Sequence, residues 1–151
     1  MLHFEGDTDF PQPPTVVWSK LSDMHFVADC IPDVEKTTFT EPDTATVTIR
    51  PGFSFVRGTL EVEIKLAERE DNKWMRVLGH GKGIGSSNDV EIRFDLAPQG
   101  EGTRVHWKAE VTNLGGLLKM MPKGLLQAAA QQVIGDVWAT VRTKMRLVTD
   151  S

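Results

Sequence analysis

The stretch "GLLQAAAQQVIGDVWATVRTKMRLV", Gly124–Val148, decides the fold. Leu126, Ala130, Val133, Val137, Val141, Met145 and Val148 recur at spacings of three and four, and Ile134 and Trp138 widen the same stripe. That period places them on one face of a helix, so the spacing predicts a single long amphipathic helix. Arg142, Lys144 and Arg146 read as the wet side of its end. Ahead of it, "LLKMM" at Leu117–Met121 predicts a separate helical turn broken at Pro122, because proline lacks the backbone donor that a helix interior needs. The Met-rich patch around that break reads either as packing of a kinked helix or as an adaptable apolar lip.

Working back toward the N-terminus, the period changes from helical to alternating. In "RGTLEVEIKLAERE", Leu60, Val62, Ile64 and Leu66 alternate with Glu61, Glu63 and Lys65. In "DVEIRFDL", Val90, Ile92, Phe94 and Leu96 oppose Asp89, Glu91, Arg93 and Asp95; in "TRVHWKAEV", Val105, Trp107, Ala109 and Val111 form the apolar side. "KWMRVLGHGKG", "EKTTFTE", "TATVTIR" and the N-terminal "LHFEGDTDF" complete the strands. Short polar turns join them: "PD" at Pro42, "DN" at Asp71, "SSND" at Ser86 and "PQGEG" at Pro98. Strands linked this way pair as antiparallel hairpins with one wet and one buried face. Between the first two strands, "PQPPTVVWSKLSD" and "MHFVADC" predict two short helices, the first opened by Pro13 and Pro14 and the second ended by Pro32. The order is therefore strand, two short helices, six strands, long helix. Only the terminal helix is long enough to cover the apolar face of a sheet of about seven strands, so the sheet must curl around it. The predicted fold is α+β, a curved antiparallel sheet gripping a C-terminal helix, in one domain spanning 1–151.

Composition bounds the function. The chain has 151 residues and a formal net charge of -4, which argues against a nucleic-acid binder. A single cysteine, Cys30, and no visible signal peptide or apolar membrane span predict a cytoplasmic protein. "VLGHGKGIGSSND", Val77–Asp89, carries a glycine at every second position from Gly79 to Gly85. It is not a phosphate loop, because Lys82 is followed by Gly83 and Ile84 and no helix follows. In phase with Met75 and Val77, Gly79, Gly81 and Gly83 fall on the inner face, where they let the strand bend or leave room for a ligand or the helix. His25, Asp29 and Cys30 lack a fourth donor of metal-site spacing, and Cys30 before Pro32 reads as a small buried hydrophobe. His80, His106, Glu61, Glu63, Glu91 and Asp95 fall on the charged face. There is no tyrosine, and no catalytic set, metal site or cofactor is assigned.

The element order resembles that of the START-domain and polyketide-cyclase superfamily, the helix-grip fold. Within it the chain looks like the carbon monoxide dehydrogenase G-subunit (CoxG) family. The residues that carry the likeness are "FEGDTDFPQPPTVVWSKLSD" at Phe4–Asp23, "ADCIPDVEK" at Ala28–Lys36, "VRGTLEVEIKL" at Val56–Leu66, "LGHGKG" at Leu78–Gly83, "GTRVHWKAEV" at Gly102–Val111 and "LGGLL" at Leu114–Leu118. Asp33 stands where the family pattern usually has a glycine, and Pro122 interrupts the start of the terminal helix. Some members carry a further hydrophobic extension proposed to attach them to membrane; ending at Ser151, this chain is expected to make at most a peripheral membrane contact.

The superfamily implies a pocket for lipophilic molecules, and the subfamily an accessory role beside a molybdenum-containing hydroxylase. Leu60, Val62, Ile64, Met75, Val77, Gly79, Gly81, Phe94, Trp107, Leu126, Ala130, Val133 and Val137 are the expected ligand-facing residues. A mostly apolar lining suits a lipid, quinone or aromatic metabolite. A small cyclase or hydrolase acting in the same cavity, and an interaction protein with a filled core, stay open as alternatives, as do monomer and homodimer.

Overall fold

The computed structural model describes residues 2–50, 58–83 and 85–150, and the side chains of all of these but 40 and 147–150. Val56 and Arg57 of the quoted motifs, Ile84 of the glycine run and the Val148 side chain lie outside the described residues. Among the described residues, seven strands and four helices follow in the expected order: β1 (Leu2–Phe10), α1 (Pro14–Leu21), α2 (Met24–Ala28), β2 (Val34–Glu41), β3 (Thr44–Ile49), β4 (Leu60–Glu70), β5 (Trp74–Gly83), β6 (Ser86–Gln99), β7 (Gly102–Gly116), α3 (Leu117–Met120) and α4 (Lys123–Asp150). The strands form one antiparallel sheet in the order β1-β7-β6-β5-β4-β3-β2. Each neighbour is the next strand in sequence, except that β1 returns to pair with β7.

Alternation sorts the two faces as the sequence predicts. Leu2, Phe4 and Phe10 on β1, Ile64 and Leu66 on β4, Met75 and Val77 on β5, Phe94 on β6, and Val105, Trp107 and Ala109 on β7 all point to the buried side. α1 begins at Pro14 behind Pro13, where the missing proline N–H costs nothing, and buries Val17, Trp18 and Leu21. α2 is capped by Asp23, whose carboxylate accepts from the backbone N–H of His25 at 2.9 Å and of Phe26 at 3.4 Å.

One turn differs from the sequence reading. Ser86–Asp89 is strand: Gly83 pairs with Ser86, and Lys82, Gly81 and His80 pair with Ser87, Asn88 and Asp89. Among the described residues between β5 and β6, Gly85 alone stands in the turn. Ser, Asn and Asp favour turns because their side chains compete for nearby backbone groups. Here β5 on one side and β7 on the other supply the ladder, and tertiary pairing overrides local preference. Likewise Pro98, Gln99 and Gly102 pair within the strands, leaving Gly100 and Glu101 as the last hairpin turn.

α4 is held unevenly. Its C-terminal half carries Trp138, Val141 and Met145 into the core. Trp138 sits among Phe10, Phe94 and Trp107, at ring-centroid distances of 6.3, 5.6 and 6.1 Å. The Gln12 side-chain amide donates to the Met145 carbonyl at 2.7 Å, Arg142 to the Thr8 hydroxyl at 3.2 Å, and Lys144 to the Asp29 carbonyl at 3.0 Å. The N-terminal half is different: Leu126, Ala130, Val133, Ile134 and Val137 are only half-buried, and Leu125 is exposed.

Candidate functional site

The thirteen expected ligand-facing residues separate into two sets. Ile64, Met75, Val77, Phe94 and Trp107 are buried and belong to the packed core around Trp138. Leu60, Val62, Gly79, Leu126, Ala130, Val133 and Val137 are half-buried. Gly81 is covered, though it stands between half-buried strand residues. The second set combines one end of the sheet's inner face with the N-terminal half of α4. The two apolar surfaces leave each other part-exposed, as a curved sheet and a straight helix do when they meet closely at one end only.

At the end of this region a cleft of about 230 Å³ opens between the sheet and α3. Leu2, Leu114, Leu118, Met121 and Leu126 line it, with Lys119 and Lys123 at its edge. Leu117, Met120 and Leu125 are exposed beside it. Of these, Leu126 alone was among the expected site residues. Leu114 escaped because a bulge on β7 shifts the register between the Ser87–Gly115 and Asp89–Thr112 pairs, which moves Leu114 onto the inner side. Asn113 takes the positive φ of 52° that this bulge requires.

A larger depression of about 400 Å³ lies on the other side of the sheet, bordered by Glu63, Lys65, His80, Asp89 and Glu91. It is open and charged, and two of its acids, Asp89 and Glu91, are already engaged. His80 Nδ1 lies 2.6 Å from Asp89, Asn113 donates to Asp89 at 2.8 Å, and Arg76 pairs with Glu91 at 3.1 Å. Glu61 meets Lys82 at 3.7 Å and Asp95 meets Arg93 at 3.0 Å, so these carboxylates form the solvated side of the sheet. His106 lies there too, 2.9 Å from Asp7 and 3.1 Å from Glu5. Its hydrogen bond to Asp7 raises its pKa above the ordinary 6.5.

The glycines have distinct roles. A β-carbon on Gly79 would meet Val90 at 3.7 Å, an ordinary contact. A β-carbon on Gly81 would lie 2.6 Å from the Asn88 side-chain oxygen, so the space that Gly81 leaves is filled by Asn88. Gly83 adopts φ +138° against the Thr59 carbonyl, a conformation that L residues rarely adopt. Asn88 was missed because the "SSND" composition reads as a turn. Extending the Val90–Ile92–Phe94 alternation backward would have placed it on the inner face.

Cys30 is buried, and burial pushes its thiol up to about 11, which keeps it protonated and unreactive at neutral pH. The His25 ring stacks on Phe39 at 3.6 Å. Among the described residues, no three of the His, Cys, Asp and Glu side chains come together as a metal set.

A curved antiparallel sheet closed over a C-terminal helix, preceded by two short helices, defines the START-like helix-grip class, and solved structures agree. A START superfamily protein from Mycobacterium smegmatis superposes with a TM-score of 0.72 at 10% identity, covering 97% of this chain and 98% of that one. A conserved protein from Geobacillus kaustophilus gives 0.86 at 20% identity over 96% and 95% of the two chains. A Thermus thermophilus protein gives 0.68 at 16% over 99% and 100%. At these identities the likeness establishes the fold. Residues 6–146 match the family model of the carbon monoxide dehydrogenase G-subunit (CoxG), and the chain belongs to that family. No curated protein matches.

Proposed function

We propose that this protein binds a lipophilic small molecule between the inner face of the sheet and the N-terminal half of α4. The uneven grip carries the reading. Val62, Ile92, Val111, Leu126, Ala130, Ile134 and Val137 face inward yet stay only partly buried, while the other end of the same helix is packed tight. Half-exposed apolar surface of this kind forgoes roughly 25 cal/mol for each Å² left in contact with water. A bound lipid, quinone or aromatic metabolite recovers that term. CoxG family membership supports an accessory role beside a carbon monoxide dehydrogenase-type molybdenum hydroxylase in the cytoplasm, in its assembly, recruitment or supply with an electron acceptor. Among the described residues no helix is long and apolar enough to cross a membrane. Leu117, Met120 and Leu125, with Lys119 and Lys123, suit a peripheral contact at the mouth of the cleft.

Native mass spectrometry of the purified protein tests the binding half. The expected result is an adduct of apolar mass that Ala130→Trp, which fills the gap from the helix side, removes while the fold survives. A protein that carries no adduct and takes up no added apolar probe would exclude the reading. For the accessory half, deletion of the gene should impair the activity or localisation of the hydroxylase; an unaffected hydroxylase counts against it.

A further inference from the structure

Asn88 lies on the inner face of β6, in phase with Val90, Ile92 and Phe94, where the next three strands, β5, β4 and β3, offer Gly81, Val62 and Val47 at this level. On one side it pairs with Gly81, which in turn pairs with Val62 of β4. On the other it faces the β7 bulge of Asn113 and Leu114, and Leu114 lines the cleft. Asparagine is disfavoured in strands, and an interior strand glycine weakens a sheet. The two unfavourable choices occur as a pair: the Asn88 oxygen would be 2.6 Å from any β-carbon at position 81. Gly81 therefore permits Asn88, and the pair does nothing for the sheet that Val opposite Val would not do better.

The amide itself is unspent. A side-chain amide has two donors and a two-lone-pair acceptor, yet among the described residues no hydrogen bond reaches that of Asn88. Its neighbour in the bulge makes the contrast: Asn113 gives its amide to Asp89 on the outer face at 2.8 Å. The amide is half-buried and still reachable by water, whose place a ligand oxygen or hydroxyl could take.

We propose that the Asn88 amide is the polar anchor of the apolar site, so that the ligand is a lipophilic molecule bearing a hydrogen-bonding oxygen rather than a plain hydrocarbon. The inference rests on the reading that this gap takes an apolar ligand, and the experiment separates the two. The full chain is loaded with the neutral fluorescent probe N-phenyl-1-naphthylamine, which is then displaced by matched pairs of equal chain length: an n-alkane, its methyl ketone and its primary alcohol. Wild type should bind the ketone or alcohol about three- to tenfold more tightly than the alkane, after correction for their different solubilities. Asn88→Leu keeps the shape and removes the amide, and should equalise the pair while leaving alkane binding intact. Gly81→Ala, which pushes the amide aside, should likewise narrow the difference between ketone and alkane, and serves if Asn88→Leu does not fold. Equal displacement by alkane and ketone in wild type overturns the anchor and leaves the apolar site standing. A preference that survives in folded Asn88→Leu also overturns it. Failure of wild type to bind the probe removes both readings together.

Discussion

At the residue scale, local backbone conformation and a few contacts decide what substitution does. Asp33 occupies φ 63°, in the left-handed region that favours glycine. Asp tolerates that region better than most residues but still at a cost, so Asp33→Gly should raise stability by up to about 1 kcal/mol, read as an upward shift of the urea midpoint. The glycines of β5 should respond in sequence: Gly79→Ala is tolerated, whereas Gly83→Ala, at φ +138° beside the Thr59 carbonyl, is destabilising by about 1–3 kcal/mol. Equal effects at the two positions would refute the distinction drawn between them. His106 makes a pH prediction. Its hydrogen bond to Asp7 favours the imidazolium and raises its pKa in the folded protein. The contribution to stability is therefore complete below the ordinary value of 6.5 and fades as pH rises through the higher folded value. An NMR titration of the His106 ring should show a midpoint above 6.5, lowered by Asp7→Asn.

At the element scale, α4 divides into an anchored and a loosely held half. Trp138→Ala, which removes the ring at the centre of Phe10, Phe94 and Trp107, should cost about 3–5 kcal/mol. Val133→Ala on the half-buried stretch should cost about 1 kcal/mol or less, by chemical denaturation. The helix, its break at Pro122 and the seven strands were legible because period and proline chemistry are local properties. The "SSND" segment was misread for the same reason: its local preference is for a turn, and the pairing that overrides it comes from β5 and from a strand more than twenty residues downstream.

At the scale of the whole molecule, alternation told which face each residue takes but not how deeply it lies. Met75 and Trp107 share a face with Val62 and Gly79, yet the first two are buried and the last two only half-buried. Depth follows from where the sheet's curvature departs from the helix axis, and no single segment carries that. The role of Gly81 was unreadable for a related reason, since it depends on the side chain across the hairpin. Residual openness at one end should appear in the bound state: ligand that fills it removes apolar area from water, so binding should show a negative heat-capacity change by calorimetry across temperature.

The glycine-rich tip between β5 and β6 is also fastened to the rim of the cleft. The backbone N–H of Leu117, the first residue of α3, donates to the Gly85 carbonyl at 3.1 Å. Gly116 packs so close to that carbonyl that no side chain fits. The rim and the hairpin are therefore one mechanical piece, and α3 cannot swing away from the cleft without dragging the end of β5 that carries Gly81 or breaking this bond. Any opening of the mouth would move the two together. The exchange rate of one amide hydrogen, that of Leu117, would then count how often the mouth comes unlatched.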